Sequence, residues 1–422
     1  MAEETILSDD FLRELMNVGE VDILVGLPTF NDATTVGQVA QTIRAGLLQY
    51  FPRKRAVIIN VDGGSTDATQ DLVRAASIND LQHSNGPRTL RTLHSISTSH
   101  DGGPSSGKAI HTLLAAADLL QASTCAIFAP DSTSIEPTWV ERLLQPVLHD
   151  GKDLVLPLYR RHKFDGLLVR NLVYPMTRAL YGERVREPYP SDFAFSGGLG
   201  AHFFALDNWS HEVGCTGVEL LLTICAVTNR FKVAQTFLGT KLRVEHAPAD
   251  LVPAMRQTVG PLFWSLDQQP GKWIEVTESR PVPTTGCESE AILDPLRINR
   301  ERLREMFANG VSELEPVLKS ILRAPTLAEL QRVAALPDGE CCLSNDLWAR
   351  SVYEFATSYH QAVISRDHII QALAPLYRGK TYSFIVQNEN ASAEEVEANV
   401  EELCKTFERL KPYLLEVWNG GK

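Results

Sequence analysis

The sequence carries side chains suited to a charged, phosphate-containing ligand at the ends of apolar runs. Asp62 ends one such run and is followed by Gly63-Gly64-Ser65-Thr66-Asp67. A carboxylate at the tip of a buried strand can accept hydrogen bonds from a base or a ribose, and glycines let that ligand approach the backbone. The alternative is a turn in which Asp67 caps the next helix, a role that does not need Asp62.

A second loop, Gly102–Ala109, nearly matches the P-loop pattern. Ala109 stands where that pattern requires the magnesium-binding Ser or Thr, and the loop follows the third apolar run, so we do not predict a P-loop phosphotransferase. Lys108 at a helix N-terminus can instead meet a diphosphate through its charge and the exposed N–H groups. The alternative is a flexible loop with a solvated lysine.

Asp131 follows the fourth apolar run and suits a hard divalent cation, Mg²⁺ or Mn²⁺, that bridges a diphosphate. This interpretation of Asp131 is strengthened because Asp62, Lys108 and Asp131 occur in successive strand–helix units. His246 follows the last predicted strand and could complete a metal site with Asp131, although a single histidine is more often an ordinary surface or core residue. Residues 28–32, the loop after the first apolar run, do not by themselves indicate a binding site.

The elements that must position these residues alternate between strands and helices. Strands are predicted at 21–30, 56–62, 89–97 and 125–131, with helices at 34–50, 68–76 and 108–120 between them. This alternation predicts an α/β protein with a largely parallel sheet and right-handed crossovers. Open sheets of this kind bind ligands at the carboxyl ends of their strands, where all four features lie.

The rest of the chain suggests further regions. Residues 1–20 are predicted as an N-terminal arm, 21–265 as the α/β domain, 266–292 as a linker rich in Pro, Gly, Thr and Ser, and 293–422 as an all-helical region. Ser392 and Glu395 form a capping box, and an apolar face from Trp348 to Tyr359 indicates core packing.

Composition excludes several classes of protein. The 422 residues include 40 Lys and Arg against 52 Asp and Glu, a net charge of −12, which argues against a nucleic-acid partner. No stretch approaches the roughly 18 apolar residues of a membrane span, and the acidic start does not resemble a signal peptide. The seven scattered cysteines fit reduced thiols. We therefore expect a cytoplasmic protein.

The motifs together resemble those of a known family. Leu27-Pro-Thr-Phe-Asn31, Val61-Asp-Gly-Gly-Ser-Thr-Asp67, Ser106-Gly-Lys108 and the degenerate motif at Asp131 resemble GT-A glycosyltransferases that use nucleotide sugars. The segments Leu158-Tyr-Arg-Arg161, Phe164-Asp-Gly166, Leu172-Val-Tyr-Pro175 and Asp192-Phe-Ala-Phe-Ser-Gly197 resemble glucosylglycerate and mannosylglycerate synthases and their relatives that make glucosyl-3-phosphoglycerate. The resemblance covers residues 20–260 and extends loosely into the helical part. It implies a GT-A, Rossmann-like fold with helices on both faces of the sheet.

The resemblance also implies roles for individual residues. It places the nucleotide sugar against Pro28, Thr29, Asn31, Asp62, Lys108 and Asp131, the metal at Asp131 and His246, and the acceptor at Arg161, Asp165 and Asp192. Lys108, Asp131 and Glu219 are the implied catalytic residues, with Glu219 near the reacting centre. An arginine fork at Arg161 suits a carboxylate acceptor.

Two departures from the family pattern concern the metal and the acceptor. Ala129 replaces the first aspartate of the DxD motif, and Pro190-Ser191 replaces the glycine pair before Asp192. The acceptor is therefore less well defined than the donor. The implied reaction is transfer with retention from a UDP-, GDP- or ADP-linked glucose or mannose to D-glycerate, giving a compatible solute such as glucosylglycerate.

Three alternatives stay open at this point. They are a glucosyl- or mannosyl-3-phosphoglycerate synthase, another enzyme of the GT-A fold such as a sugar nucleotidyltransferase, and a non-catalytic protein that binds nucleotide sugars. The helical region could shape the acceptor site or form the interface of a homo-oligomer, which we also expect.

Overall fold

The structure is a computed structural model that describes residues 6–78, 93–100, 105–210, 217–242, 251–287 and 298–420. The chain divides into two compact units, each built from separate stretches. Unit 1 consists of Met1–Arg160, Pro190–Ala247 and Val282–Ala291, and unit 2 consists of Arg161–Tyr189, Pro248–Pro281 and Ile292–Lys422. This division differs from the predicted domains. Residues 161–189 and 251–265, predicted within the α/β domain, belong to unit 2, and residues 282–287 of the predicted linker belong to unit 1.

An eight-stranded sheet in the order β3-β2-β1-β4-β6-β5-β7-β8 forms the centre of unit 1. Its strands are β1 Ile23–Thr29, β2 Ala56–Asp62, β3 Leu93–Ser99, β4 Thr124–Ile127, β5 Leu154–Arg160, β6 Phe193–Ser196, β7 Val233–Thr240 and β8 Thr284–Thr285. Among these strands only β6 runs antiparallel to its neighbours, β4 and β5. The predicted α/β class with a mostly parallel sheet is confirmed.

The helices are numbered along the chain. They are α1 Asp9–Val18, α2 Val36–Tyr50, α3 Thr69–Ile78, α4 Ser106–Leu119, α5 Pro137–His149, α6 Tyr174–Tyr181, α7 Gly197–Phe204, α8 Val218–Thr228, α9 Leu251–Gln268, α10 Pro270–Trp273, α11 Arg300–Glu313, α12 Glu315–Ile321, α13 Ala324–Ala334, α14 Asn345–Gln361, α15 Arg366–Asn388, α16 Ala393–Arg409 and α17 Lys411–Trp418. A π-helical turn, Val169–Val173, precedes α6, and a 3₁₀ turn, Asp207–Ser210, follows α7.

Helices cover both faces of the sheet, as predicted. Side chains alternate between the faces of a strand, and Val25 of β1 packs in one apolar cluster with Ile43 of α2 and Trp139 of α5. The next residue, Gly26, faces α4: a Cβ there would lie 2.5 Å from the Leu113 side chain. Gly26 therefore allows α4 to approach β1 closely.

Unit 2 is helical, with one isolated β-bridge between Glu183 and Arg280 among its described residues. The Trp348 indole donates to the Asn171 carbonyl oxygen at 2.7 Å within its core. Trp348 and Tyr359 are buried on α14, and Ser392 and Glu395 form the capping box of α16. The prediction of a helical C-terminal region is therefore confirmed.

Two structural features concern membrane-spanning helices and the state of the cysteines. In the part of the chain that the structure describes, no helix combines the length and apolar character needed to cross a bilayer. The six cysteines in that part are all free thiols, and Cys215 lies outside the described residues.

Candidate functional site

The candidate site lies at the carboxyl ends of adjacent parallel strands in unit 1. Strand register pairs Thr29 of β1 with Asp62 of β2, and Asp62 with Ser99 of β3. On the other side of β1, Gly26 pairs with Ile127 of β4, four residues before Asp131. The loops predicted to bind the nucleotide sugar therefore follow neighbouring strands at the same edge of the sheet.

The Asp62 carboxylate is buried and organises the loop that follows it. One oxygen accepts hydrogen bonds from the Gly64 and Ser65 amides at 3.0 and 2.8 Å and from Gln70 Nε2 at 2.9 Å. The other accepts from Ser65 Oγ at 2.6 Å and Thr29 Oγ1 at 3.1 Å. Burial acts to raise the pKa of Asp62, but these hydrogen bonds outweigh it and hold the pKa below its ordinary value. Both oxygens are engaged by the protein, so a direct contact with the nucleoside stays a prediction.

The loop after β1 is bonded to the loop after β2. Asn31 adopts a left-handed backbone conformation, with φ 57°. Its amide donates to Ser65 Oγ at 2.8 Å, and its side-chain oxygen accepts from the Thr66 amide at 3.0 Å. Pro28 is half-buried within β1, whereas the Phe30 ring beside Asn31 is 42% exposed. The two loops thus form one hydrogen-bonded surface that bears an exposed aromatic ring.

Lys108 lies in the first turn of α4, where we predict a diphosphate contact. The Ser105 hydroxyl caps this helix by accepting the Lys108 amide at 3.2 Å. The Lys108 side chain is exposed, and the helix dipole adds positive potential at this end. Residues 101–104, the first part of the predicted loop, lie outside the described residues.

Glu219, in the first turn of α8, is a half-buried acid with one buried carboxylate oxygen. Its Oε2 atom is buried and has no hydrogen-bond partner among the residues that the structure describes. Burial raises the pKa of Glu219, against a hydrogen bond from its own amide and another from the Ser106 hydroxyl. Ser106 is the first residue of α4, so this carboxyl lies beside the helix end that carries Lys108. A buried, unsatisfied carboxyl at such a place is typical of a functional group.

Asp131 follows β4 in a loop that is bonded to the end of β7. The Thr133 amide donates to the Leu242 carbonyl at 3.0 Å, and the Leu242 amide donates to Ser134 Oγ at 2.9 Å. The described residues contain no group of three His, Cys, Asp or Glu side chains suited to a metal. His246 lies outside the described residues. The donor that is described, a carboxylate at a loop, fits Mg²⁺ or Mn²⁺, because these ions take one or two protein carboxylates and substrate phosphates.

Asp192, predicted to bind the acceptor, is fully buried in an ion pair. Its Oδ2 atom bonds the Lys241 ammonium and the Tyr159 hydroxyl, and its Oδ1 atom accepts the Ala129 amide at 2.9 Å. Burial acts to raise the pKa of Asp192, but Lys241 and the hydrogen bonds outweigh it and lower the pKa. An acceptor could reach this carboxylate only by displacing Lys241, so its role in acceptor binding stays a prediction.

Arg161 and Asp165, also predicted to bind the acceptor, lie together in unit 2. The Arg161 guanidinium contacts Glu187 through Nε at 3.2 Å and Nη2 at 3.5 Å, and Nη1 lies 3.5 Å from the Asp165 carboxylate. The arginine fork is thus partly occupied by Glu187, a residue that the sequence analysis does not single out.

Other contributors to the site were also missed from sequence. Ser65 and Gln70 follow Asp62 by three and eight residues, so the Asp-to-Ser spacing of an Asx-type turn could have indicated the first. Lys241 follows a strand 49 residues after Asp192, and no local pattern indicates that they pair.

The chain matches no protein-family model and no curated protein. It is similar to glucosyl-3-phosphoglycerate synthase from Mycobacterium tuberculosis in complex with Mn²⁺, uridine diphosphate and glucosyl-3-phosphoglycerate, with 22% identity and a TM-score of 0.44 over 64% of this chain and 85% of that one. A complex of that synthase with Mn²⁺, UDP-glucose and phosphoglyceric acid gives 21% identity and 0.43 over the same shares. A structure described as a mycobacterial protein gives 22% and 0.44 over 63% of this chain and 79% of that one. These values describe a distant similarity and do not by themselves assign an activity.

Proposed function

We propose that this protein is a metal-dependent glycosyltransferase that moves glucose or mannose from a nucleoside-diphosphate sugar to D-glycerate or a similar small acid. The observation that carries the proposal is the common sheet edge at which the bonded loops of Asn31 and Asp62, the start of α4 and the Asp131 loop all lie. This edge combines the groups that a nucleotide, a diphosphate and a cation each require.

The donor would bind across this edge. The exposed Phe30 ring beside the hydrogen-bonded Asn31 loop suits a planar base. The Lys108 ammonium and the N-terminus of α4 suit the diphosphate, since both offer positive potential to a negative group.

Asp131 would hold the divalent cation, together with phosphate oxygens of the donor. Leu242 is bonded to Thr133, and His246 follows Leu242 by four positions in the sequence. This short spacing supports the proposed pairing of Asp131 with His246. The chemistry that a divalent cation held there would supply is neutralisation of charge on the departing diphosphate.

Glu219 is proposed to act at the sugar. An ionised carboxylate with an unpartnered oxygen can stabilise the positive charge of an oxocarbenium-like transition state. Transfer with retention is the stereochemistry that the family resemblance implies. In such a reaction the leaving phosphate oxygen can take the acceptor proton, so no separate protein base is required.

The acceptor is proposed to be a small carboxylic acid. Arg161 can bind a carboxylate with two parallel hydrogen bonds, and an acceptor would then compete with Glu187 for the fork. Lys163, whose ammonium now bonds the Glu389 and Ala391 carbonyls, is the cation that would favour a phosphorylated acid such as 3-phosphoglycerate.

The deciding experiment is a panel of UDP-, GDP- and ADP-linked glucose and mannose against glycerate and 3-phosphoglycerate, with release of nucleoside diphosphate as the readout. We expect acceptor-dependent release with Mn²⁺ or Mg²⁺ and its loss with a chelator. Asp131→Ala should lower the rate at least about a hundredfold, whereas Asp118→Ala, at an exposed position late in α4, should not. The anomeric configuration of the product, read by NMR, tests retention.

A second candidate is a non-catalytic protein that binds nucleotide sugars, favoured by Ala129 at the position of the first metal aspartate. Binding of a nucleotide sugar without release of nucleoside diphosphate under any condition of the panel would support it over the transferase.

A further inference from the structure

Asp192 and Lys241 form a buried ion pair between the ends of two strands in unit 1. Asp192 immediately precedes β6, and Lys241 immediately follows β7. Their side chains are 0% and 1% exposed. The Lys241 ammonium also lies over the rings of Tyr159 and Trp139, 5.1 and 5.5 Å from their centroids. Both charges are therefore satisfied away from water.

Asp192 and the residue after Lys241 are bonded to the backbone on the two sides of Asp131. Asp192 Oδ1 accepts the amide of Ala129, two residues before Asp131. The residue after Lys241, Leu242, accepts the amide of Thr133, two residues after Asp131. Asp131 thus lies between two hydrogen bonds, one made by Asp192 and the other by the neighbour of Lys241.

Stability alone does not explain a pair of this kind. Removing two charges from water costs several kcal/mol per ion, and apolar replacement of a whole buried pair is often neutral or stabilising. An apolar pair could not accept a hydrogen bond from the Ala129 amide. It also could not form the directional bond that fixes the position of Lys241 at the end of β7. The pair therefore fixes a geometry, and the element it fixes is the loop of Asp131.

We propose that Asp192 and Lys241 are positioning residues for the metal site, which hold the Asp131 loop in place without touching the ion. This inference rests on the proposed function. It also gives Asp192 a role different from direct acceptor binding.

The test compares two double variants in the full-length protein. Asp192→Leu with Lys241→Met removes both charges, the bond between the two side chains and the acceptor of the Ala129 amide, while Asp192→Asn with Lys241→Gln removes the charges but keeps groups that can bond each other and the Ala129 amide. We expect the apolar double variant to bind Mn²⁺ in the presence of UDP at least about tenfold more weakly than wild type, as changes to residues that orient a metal ligand do. The polar double variant should stay within about threefold of wild type.

Mn²⁺ affinity is measured by electron paramagnetic resonance titration, and folding by the melting temperature without metal. Asp153→Asn is the control, because Asp153 bonds Ser196 and the Lys232 amide, at the opposite ends of β6 and β7. It should leave Mn²⁺ affinity unchanged even if it lowers the melting temperature.

Three outcomes would overturn the inference. In the first, a folded apolar double variant binds Mn²⁺ like wild type. In the second, both double variants lose affinity equally, which would indicate an effect of charge and not of position. In the third, wild type itself binds no Mn²⁺ with UDP, and the proposed function fails with it. The first two leave the proposed function intact, so the failures are distinguishable.

Discussion

The Ser106 hydroxyl hydrogen-bonds to the buried carboxyl of Glu219 and so joins the first turn of α8 to the first residue of α4. One oxygen of that carboxyl has no hydrogen-bond partner in the described part of the chain. The neighbour two residues along α4 is Lys108, the proposed diphosphate ligand. A carboxyl group and an ammonium group are thereby held at one helix end, where a sugar and its diphosphate would meet.

Glu219→Gln should lower kcat by at least about tenfold while it changes the KM for the donor less than about threefold. The amide keeps the size of the side chain but cannot stabilise positive charge in the transition state. Steady-state kinetics with the best donor of the panel measure both parameters. An unchanged kcat would contradict a catalytic role for Glu219.

Ser106→Ala should shift the acid limb of the kcat profile to higher pH. The Ser106 hydrogen bond lowers the pKa of Glu219, so its removal adds to the increase caused by burial. If the ionised form is active, kcat then begins to fall at a higher pH than in wild type, and Glu219→Gln should lack this limb. A profile that does not move would contradict the link.

Two adjacent glycines at the start of α7 should respond oppositely to alanine. A Cβ at Gly197 would lie 2.2 Å from the Ala122 carbonyl oxygen, whereas a Cβ at Gly198 would have nothing within 4 Å. Gly197→Ala should therefore lower the free energy of unfolding by about 2 kcal/mol or more, and Gly198→Ala should raise it by up to about 1 kcal/mol. Urea unfolding of both variants checks this, and equal effects would contradict the close approach.

Arg178→Met should destabilise unit 2 strongly. The guanidinium is 1% exposed and bonds Glu401 at 2.6 and 2.9 Å and Glu408 at 2.8 Å. Its removal leaves two carboxylates without their cation, a loss of about 3–5 kcal/mol. Arg409→Met is the control, because its exposed pair with Asp346 contributes about 1 kcal/mol or less. Hydrogen exchange in α16 reads both changes, and similar protection in the two variants would refute the prediction.

Lys380 should make the stability of unit 2 depend on pH above neutrality. Burial lowers the pKa of Lys380 to about 8 from an ordinary value of 10.5. Between these pH values the unfolded chain binds more protons than the folded one, so the free energy of unfolding rises with pH. As pH falls through 8 the folded protein must bury a charged ammonium, and this gain in stability is lost. The advantage of Lys380→Met over wild type should therefore shrink by up to about 3 kcal/mol between about pH 7 and pH 10.5.

Chemical unfolding of wild type and of Lys380→Met across that range isolates the effect, because other titrating groups are common to both proteins. A difference between them that stays constant with pH would mean that the buried amine titrates normally.

Local sequence patterns predicted the parts of the candidate site whose positions are set by residues adjacent in the sequence. The apolar run before Asp62 and the glycines after it are enough to place a carboxylate at a strand end, and the capped start of α4 places Lys108. The same reasoning could not find the partner of Asp192, because Lys241 is 49 residues away and only the sheet order joins them.

The predicted linker shows the same limit. Pro, Gly and Thr in residues 266–292 resemble a connection, yet α9 extends from Leu251 to Gln268, and Thr284–Thr285 form the last strand. That strand is two residues long and exists through its pairing with β7. Composition cannot indicate a strand of that kind.

The division of the chain also has a consequence for its synthesis. The polypeptide crosses between the units after residues 160, 189, 247, 281 and 291. On a ribosome, α9 of unit 2 is made before β8 of unit 1, so the sheet cannot be completed until part of the other unit has emerged. A stop codon after residue 265 would leave the sheet without its edge strand. No single cut therefore yields two intact fragments, and the gene cannot be recombined at one junction to exchange either unit.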